Sequence, residues 1–210
     1  TGDSATSFAV NAGGAAYTAA HGTAFEADTG FDSGTAYDTA KPIDGTEDDP
    51  LYQTERYGNF SYDVPLEDGS YDVTLHFAET SQGTSADSNP GADKTGERLF
   101  DVTVEGEPAL SGYDIYAEAG GSLSAVQETI TADVTDGELN IGFSTVADNA
   151  KLSAVEVEPA DDGGDENQAP VVDSIADQTV TEGGSVTVPV SASADDSDAL
   201  SLSSAEALTG

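Results

Sequence analysis

The chain has 210 residues, of which 41 are acidic and five are lysine or arginine, so its formal net charge is −36. Nucleic acids and anionic membrane surfaces bind clusters of Lys and Arg, and this charge argues against both as direct partners. The sequence has no cysteine, which excludes disulfides and thiolate metal sites. No apolar run approaches the ~20 residues that a membrane-spanning helix needs.

The acidic residues are spread along the chain rather than gathered in a tail. Such a surface repels itself unless salt screens it, and at roughly 1 M salt the Debye length falls to about 3 Å. Apolar alternation and aromatic residues run through the first 160 positions, which argues against a disordered acidic chain. We therefore expect a folded halophilic protein of haloarchaeal type. Because the sequence begins at Thr1, we also expect a processed form or a fragment of a longer protein.

Apolar residues alternate with polar ones in several short segments, and this pattern predicts an all-β fold. Turn signals such as Asp136-Gly137 separate the segments, and short strands at regular spacing indicate a β-sandwich of the jelly-roll type. By the same alternation Glu79 points inward, whereas His76 falls on the opposite, solvated face of its strand. The predicted inward rows are Phe60, Tyr62, Val64; Tyr71, Val73, Leu75, Phe77; Phe100, Val102, Val104; and Leu139, Ile141, Phe143.

A cluster of polar and aromatic residues occupies positions 48–59 and contains Arg56, one of the five basic residues of the chain. Inward-facing Glu79 requires a partner, and we predict that Arg56 and Glu79 form a buried structural ion pair. An alternative is that Glu55 and Glu79 form the acid/base pair of a glycosidase.

Tyrosines in or next to irregular segments are candidate platforms for a ring-shaped polar ligand. Tyr37 and Tyr57 are of this kind, and their alternative role is to plug the ends of the sandwich. Asp148 and Asn149 place a carboxylate beside an amide, which suits sugar hydroxyls because these both donate and accept hydrogen bonds. The same pair is also compatible with an Asx turn.

Taken in order, six segments resemble the malectin domain, a β-sandwich lectin fold of the galactose-binding-like type, and the resemblance covers residues 7–159. These segments are 10–14, 49–58, 75–79, 99–102, 114–116 and 148–152. The resemblance implies a non-catalytic domain that binds a glycan at the open end of the sandwich, as animal members bind a glucose disaccharide. It implies ligand-binding roles for Tyr57, Asp148 and Tyr37, in an extracellular or cell-surface protein. Ser81 and Gln82 stand where animal members carry two ligand-stacking aromatics.

Residues 160–168 form an acidic linker, and residues 169–210 resemble the start of an Ig-like or cadherin-like module. That segment is too short to bury a sandwich core of its own. Asp195, Asp196 and Asp198 have the spacing of calcium ligands, so a structural Ca²⁺ is a weak candidate and no other cofactor is expected. A second hypothesis for the whole chain is a structural or adhesion subunit that self-assembles when its C-terminal strands pair with a neighbour.

Overall fold

The computed structural model describes residues 7–82, 92–160, 171–172, 179, 181–184 and 192–193. The chain divides into two compact units, residues 1–160 and residues 161–210. Strand is the predominant structure among the described residues of the first unit, which also include two helices of four residues each. Among the described residues, no helix has the length and apolar character needed to span a membrane.

The elements of the first unit follow one another in a regular series. Its strands are β1 (Phe8–Asn11), β2 (Tyr17–Thr18), β3 (Ala24–Ala27), β4 (Thr35–Asp38), β5 (Thr54–Tyr57), β6 (Phe60–Pro65), β7 (Gly69–Ala78), β8 (Leu99–Val104), β9 (Glu107–Tyr113), β10 (Ala125–Val134), β11 (Glu138–Ala147), β12 (Lys151–Leu152) and β13 (Ala154–Pro159). Helix α1 (Asp49–Tyr52) precedes β5, and helix α2 (Ile115–Glu118) follows β9.

Three sheets arise from these strands. A six-stranded sheet has the order β10-β7-β13-β1-β3-β2, a four-stranded sheet the order β6-β11-β8-β9, and a small sheet the order β12-β5-β4. Neighbouring strands are antiparallel except β1 and β3, which are parallel. The predicted all-β sandwich is confirmed, since residues of the two larger sheets share one hydrophobic core.

That core consists largely of the residues that the alternating pattern predicts to point inward. Every member of the four predicted inward rows is at most 4% exposed. β-Branched and aromatic side chains at alternate positions suit a pleated surface that is buried on one face, which is why local pattern and observed burial agree here. Glu79 is also fully buried, as predicted.

The solvated position predicted for His76 is wrong, because the side chain is only 2% exposed. Its face of β7 is covered by a second apolar cluster drawn from the irregular first third of the chain. Phe25, Leu51 and Tyr52 belong to that cluster, together with Ala78 of β7 itself. Alternation correctly placed His76 opposite Leu75 and Phe77, but a strand pattern carries no information on what packs over its outer face.

In the second unit, β14 (Val171–Val172) pairs antiparallel with β15 (Ala192–Ser193). The calcium candidates Asp195, Asp196 and Asp198 lie outside the described residues. Within the described ranges, no group of three or more His, Cys, Asp or Glu side chains could hold a metal ion.

Candidate functional site

The small sheet presents one face of the candidate site. Tyr37 lies opposite Glu55 between β4 and β5, and Tyr57 lies opposite Lys151 between β5 and β12. Directly opposed residues of antiparallel strands point to the same side, and so do residues two apart on one strand. All four side chains therefore share one face of this sheet, while Arg56 points from the other.

Lys151 and Glu55 form a buried ion pair beneath that face. Lys151 is fully buried and Glu55 is 5% exposed, and the lysine Nζ contacts Glu55 Oε2. Thr80 links the two, because its Oγ1 accepts from Lys151 Nζ at 2.9 Å and donates to Glu55 Oε2 at 2.6 Å. A lysine is buried at this depth only with such compensation, so the pair fixes the strands that carry the tyrosines.

A second buried pair joins Glu79 and Arg98. Arg98 Nε donates to Glu79 Oε2 at 2.7 Å. The other oxygen, Oε1, accepts three hydrogen bonds of 2.9 Å each, from Ser81 N, Ser81 Oγ and Gln82 N. Both oxygens of this carboxylate are thus occupied, and the backbone that follows β7 is held in place by it.

The surroundings of Glu79 keep its carboxylate ionised. Burial raises the pKa, but the charges of Lys151 and Arg98 and the hydrogen bonds to the carboxylate outweigh burial and lower the pKa of Glu79 to about 2. A general acid needs a pKa near the working pH. Glu79 is therefore poorly suited to donate a proton in the glycosidase alternative, in which Glu55 would be its partner.

Asp148 projects from the loop between β11 and β12. Its backbone φ is 57°, a left-handed conformation that Asp and Asn adopt more readily than other non-glycine residues. Asp148 Oδ1 accepts from Asn149 Nδ2 at 3.0 Å, while Oδ2 accepts from Gln82 Nε2 at 2.7 Å and lies 3.0 Å from Arg98 Nη2. The side chain is still 37% exposed, so it is held in one orientation and remains open to a ligand.

These groups surround one cavity with a volume of about 190 Å³. The four residues predicted to bind a ligand all line it: Tyr37, Tyr57, Asp148 and Asn149. Its other lining residues are Glu55, Ser81 and Arg98. The structure thus brings together tyrosines from β4 and β5 and an acidic loop about a hundred residues further along the chain.

The predicted ion pair between Arg56 and Glu79 is wrong. Arg56 pairs instead with Asp28, to which its Nε donates at 3.0 Å and its Nη2 also donates. Its guanidinium carbon lies 3.2 Å from the centre of the Phe31 ring, a cation–π contact. Arg56 points away from the face shared by Glu55 and Tyr57, whereas Glu79 meets Arg98 beside the cavity. Strand alternation correctly predicted that Glu79 is buried but did not identify its cationic partner.

Arg98, Lys151 and Gln82 are site residues that sequence reasoning missed. The sequence signal for Arg98 and Lys151 was the scarcity of basic residues. All five basic residues lie in the described part of the chain, and four are at most 5% exposed: Arg56, Lys94, Arg98 and Lys151. In so acidic a chain, four of the five cations thus mark buried positions. The exposed surface is correspondingly acidic.

Known proteins match this chain in sequence and in fold. The family model described as Malectin domain matches residues 6–162. Malectin-B of Xenopus laevis is 32% identical over 154 residues, which cover 70% of this chain and 52% of that protein, so the chain spans about half the length of this curated relative.

Two solved structures share the fold at low sequence identity. The β-glucuronidase of Bacteroides uniformis has a TM-score of 0.63 at 19% identity, over 73% of this chain and 18% of that one. The ANXUR2 extracellular domain of Arabidopsis thaliana has a TM-score of 0.59 at 15% identity, over 71% of this chain and 47% of that one. The family match spans the three sheets of the first unit and every residue that lines the cavity, and the chain belongs to the malectin domain family.

Proposed function

We propose that this chain is a non-catalytic carbohydrate-binding module of a larger secreted or cell-surface protein that works in high salt. The observation that carries the proposal is the single cavity lined by Tyr37, Tyr57, Asp148 and Asn149. Aromatic rings offer flat apolar faces for a sugar ring, while a carboxylate and an amide together accept from and donate to its hydroxyls.

The cavity size favours a short ligand segment. Its volume of about 190 Å³ lies below the roughly 300–1,000 Å³ of pockets that enclose drug-sized ligands. A single sugar ring or a chain end fits such an open site better than a long oligosaccharide. The expected affinity is in the range of about 1 mM to 1 μM, or roughly −4 to −8 kcal/mol.

Gln82 and Ser81 indicate how the ligand is held. In place of stacking aromatics, Gln82 hydrogen-bonds to Asp148, and Ser81 lines the cavity. Stacking is therefore limited to the tyrosines on the small sheet, and polar contacts from the loop side supply the rest. We expect a ligand rich in hydroxyl groups, with selectivity that differs from that of family members with aromatics at these two positions.

The carboxylates beside the cavity support a binding role rather than hydrolysis. Glu55 is tied to Lys151 and Thr80, and Glu79 keeps a pKa of about 2. Retaining and inverting glycosidases both require a proton donor with a raised pKa, whereas the pKa of Glu79 is lowered.

The second unit belongs to the proposal of a larger extracellular protein. The antiparallel pair of β14 and β15 supports reading residues 169–210 as part of a further β-module, joined by the acidic segment 160–168. Under the alternative hypothesis these strands pair with a neighbouring chain. Light scattering in concentrated salt separates the two, because a monodisperse monomer contradicts assembly through this region.

Titration calorimetry with saccharides selected on a glycan array tests the binding site. Tyr57→Ala should weaken binding by about 1–2 kcal/mol, a 5–30-fold loss, because an anchoring aromatic contributes on that scale. Asp148→Asn should also weaken it while keeping the side-chain shape. Tyr116→Ala is the matched control, since this half-buried tyrosine lies outside the cavity lining. Equal affinities for Tyr57→Ala and the unaltered chain contradict the proposal.

A further inference from the structure

Strand β10 is the longest strand edge that the described part of the chain leaves unpaired. It borders the six-stranded sheet, and β7 is the one strand that pairs with it. The other border strands are short, interrupted or covered. β2, β4 and β12 have two to four residues each, β9 contains Pro108 and two register shifts, and Gly30 and Asp32 hydrogen-bond to the outer side of β6.

The hydrogen bonds around β10 show which of its backbone groups face outward. Ser153 N donates to His76 O at 2.9 Å, so His76 directs its backbone toward β13 and not toward Gln127, the residue opposite it on β10. Ala125 N donates to Asp44 O, on the side away from β7. Because alternate residues of a strand direct their N–H and C=O groups to the same side, four residues of β10 face outward: Gln127, Thr129, Thr131 and Asp133. Among the described residues, no backbone group pairs with this set.

This edge lacks the features that usually keep two strand edges apart. Natural edge strands are commonly protected by proline, by lysine or by a β-bulge. The sequence of β10, AVQETITADV, contains neither proline nor lysine, and its register with β7 runs without a shift. Glu128 is the one charged residue on its core-facing side, and Tyr113 Oη donates to that carboxylate at 3.0 Å. The strand is therefore regular enough to accept another strand.

A largely apolar groove lies beside the edge. Its volume is about 360 Å³, and it runs between β10 and β9, the border strand of the four-stranded sheet. Apolar residues of both sheets line it: Val104, Pro108, Ala109, Ile130 and Ala132. Glu105, Glu107, Thr131 and Asp133 complete the lining. Since Ile130 and Ala132 are only partly buried, an added strand would cover apolar surface as well as backbone groups.

We propose that β10 pairs with β10 of a second copy of this chain, antiparallel about a two-fold axis at Ile130, and so joins two six-stranded sheets into one. In this register Gln127 lies opposite Asp133 of the second copy, and Thr129 lies opposite Thr131. This is the one antiparallel register that pairs all four outward-facing residues of each copy. It forms about eight backbone hydrogen bonds between the chains.

The side chains of β10 are complementary to themselves in this register. Directly opposed residues of antiparallel strands point to the same face, where like charges are destabilising. On the outer face, the Asp133 carboxylate meets the uncharged amide of Gln127, and threonine meets threonine. On the core-facing side, Ile130 meets Ile130 and Glu128 meets Ala132. No carboxylate lies opposite another, although 41 of the 210 residues are acidic, so the charge pattern favours a second copy as the occupant.

The proposed contact is small and depends on salt. Residues 126–134 span about 27 Å, which places the interface among the weak, transient ones. Each copy has a formal net charge of −36, and the resulting repulsion opposes association unless salt screens it. We therefore expect dimers at high protein concentration in concentrated salt. The residues that line the candidate saccharide cavity lie outside β9 and β10, so pairing does not use them.

Analytical ultracentrifugation of the full chain tests the proposal. Measurements are made in about 2 M KCl, where surface charges are screened, at protein concentrations up to about 1 mM, which suits a weak complex. We expect an equilibrium between monomer and dimer, because two-fold pairing occupies the edge of both copies and closes the assembly. A chain that remains monomeric over the whole range would overturn the proposal.

Two variants at one position identify the edge. Thr131→Pro removes an outward-facing N–H and should weaken dimerisation on the order of tenfold or more, because two hydrogen bonds are lost per dimer. Thr131→Val is the matched control. It also removes the 2.7 Å hydrogen bond from Thr131 Oγ1 to Asp72 but keeps the N–H, and it should dimerise within about threefold of the unaltered chain. Equal association of the two variants contradicts pairing through β10 and points to the C-terminal strands, which neither change touches.

Amide hydrogen exchange gives a second readout that needs no substitution. Raising the protein concentration should slow exchange at the outward-facing amides of Gln127, Thr129, Thr131 and Asp133, because the second copy then protects them. The intervening amides of β10 already bond to β7 and should not respond. Exchange at Thr129 and Thr131 that is independent of concentration would refute the pairing, even where Thr131→Pro fails to fold.

Discussion

Replacing Glu79 with glutamine removes one ionisable group beside the cavity and nearly preserves its shape. The pKa of Glu79 is about 2 in the folded protein, against an ordinary value of 4.5, and each pKa unit corresponds to about 1.4 kcal/mol. The ionised carboxylate therefore contributes roughly 3 kcal/mol to the free energy of unfolding at neutral pH. Because Glu79 is fully buried, solvent screens little of this contribution.

The sign of the pH dependence follows from the direction of the shift. Since the folded pKa lies below the unfolded one, the contribution is complete above about pH 5 and is lost as the pH falls from 4.5 toward 2. In that window the unfolded chain binds the proton first. The free energy of unfolding of the unaltered protein should thus be about 3 kcal/mol larger than that of Glu79→Gln at pH 7. This difference should shrink toward pH 2.

Urea unfolding in concentrated salt, followed by tyrosine fluorescence between pH 2 and 7, measures the difference. The chain contains eight tyrosines and no tryptophan. Glu107→Gln removes the same charge from an exposed side chain and corrects for the loss of one surface acid. A difference between the unaltered protein and Glu79→Gln that does not change with pH would refute the reasoning.

Three further outcomes are expected. Arg56→Met should lower the free energy of unfolding by about 3–5 kcal/mol, because Asp28 is 8% exposed and loses its ionic partner; urea midpoints near those of the unaltered chain would contradict this. Gln82→Ala should weaken saccharide binding severalfold without a comparable loss of stability, since it frees Asp148 from one hydrogen bond; calorimetry beside unfolding curves separates these effects. Circular dichroism should show unfolding as KCl falls below about 1 M, where screening weakens, and a full β-sheet signal without salt would contradict the halophilic interpretation.

The core of the sandwich was predictable because its signal is local. Within each strand, alternation alone identifies the buried face, and the rows through Tyr62, Val73, Val102 and Ile141 are all buried. Burial of His76 was not predictable in this way. It depends on Phe25 and on α1, which cover β7 from a segment without periodicity.

The ion pairs show a second limit of prediction from the sequence. Sequence identified Glu79 as a buried carboxylate that needs a cation, and it identified Arg56 as a cation with a structural partner. The pairing of a given cation with a given carboxylate depends on how strands far apart in the chain are placed side by side. The alternation of residues within one strand does not contain that information. Lys151 was harder still, since a lysine beside a turn is normally exposed, and the Glu55 and Thr80 groups that compensate its burial lie far away in the sequence.

The candidate site itself followed from ordered motifs rather than from periodicity. Those motifs named Tyr37, Tyr57 and Asp148, and the structure places the three around one cavity with Asn149. A glycan array probed in concentrated salt with the unaltered chain and with Tyr57→Ala tests the central claim most directly. We expect the unaltered chain to bind a defined subset of saccharides and Tyr57→Ala to lose that subset. Identical patterns for both proteins, or no saccharide bound by the unaltered chain, would contradict a carbohydrate-binding role for this cavity.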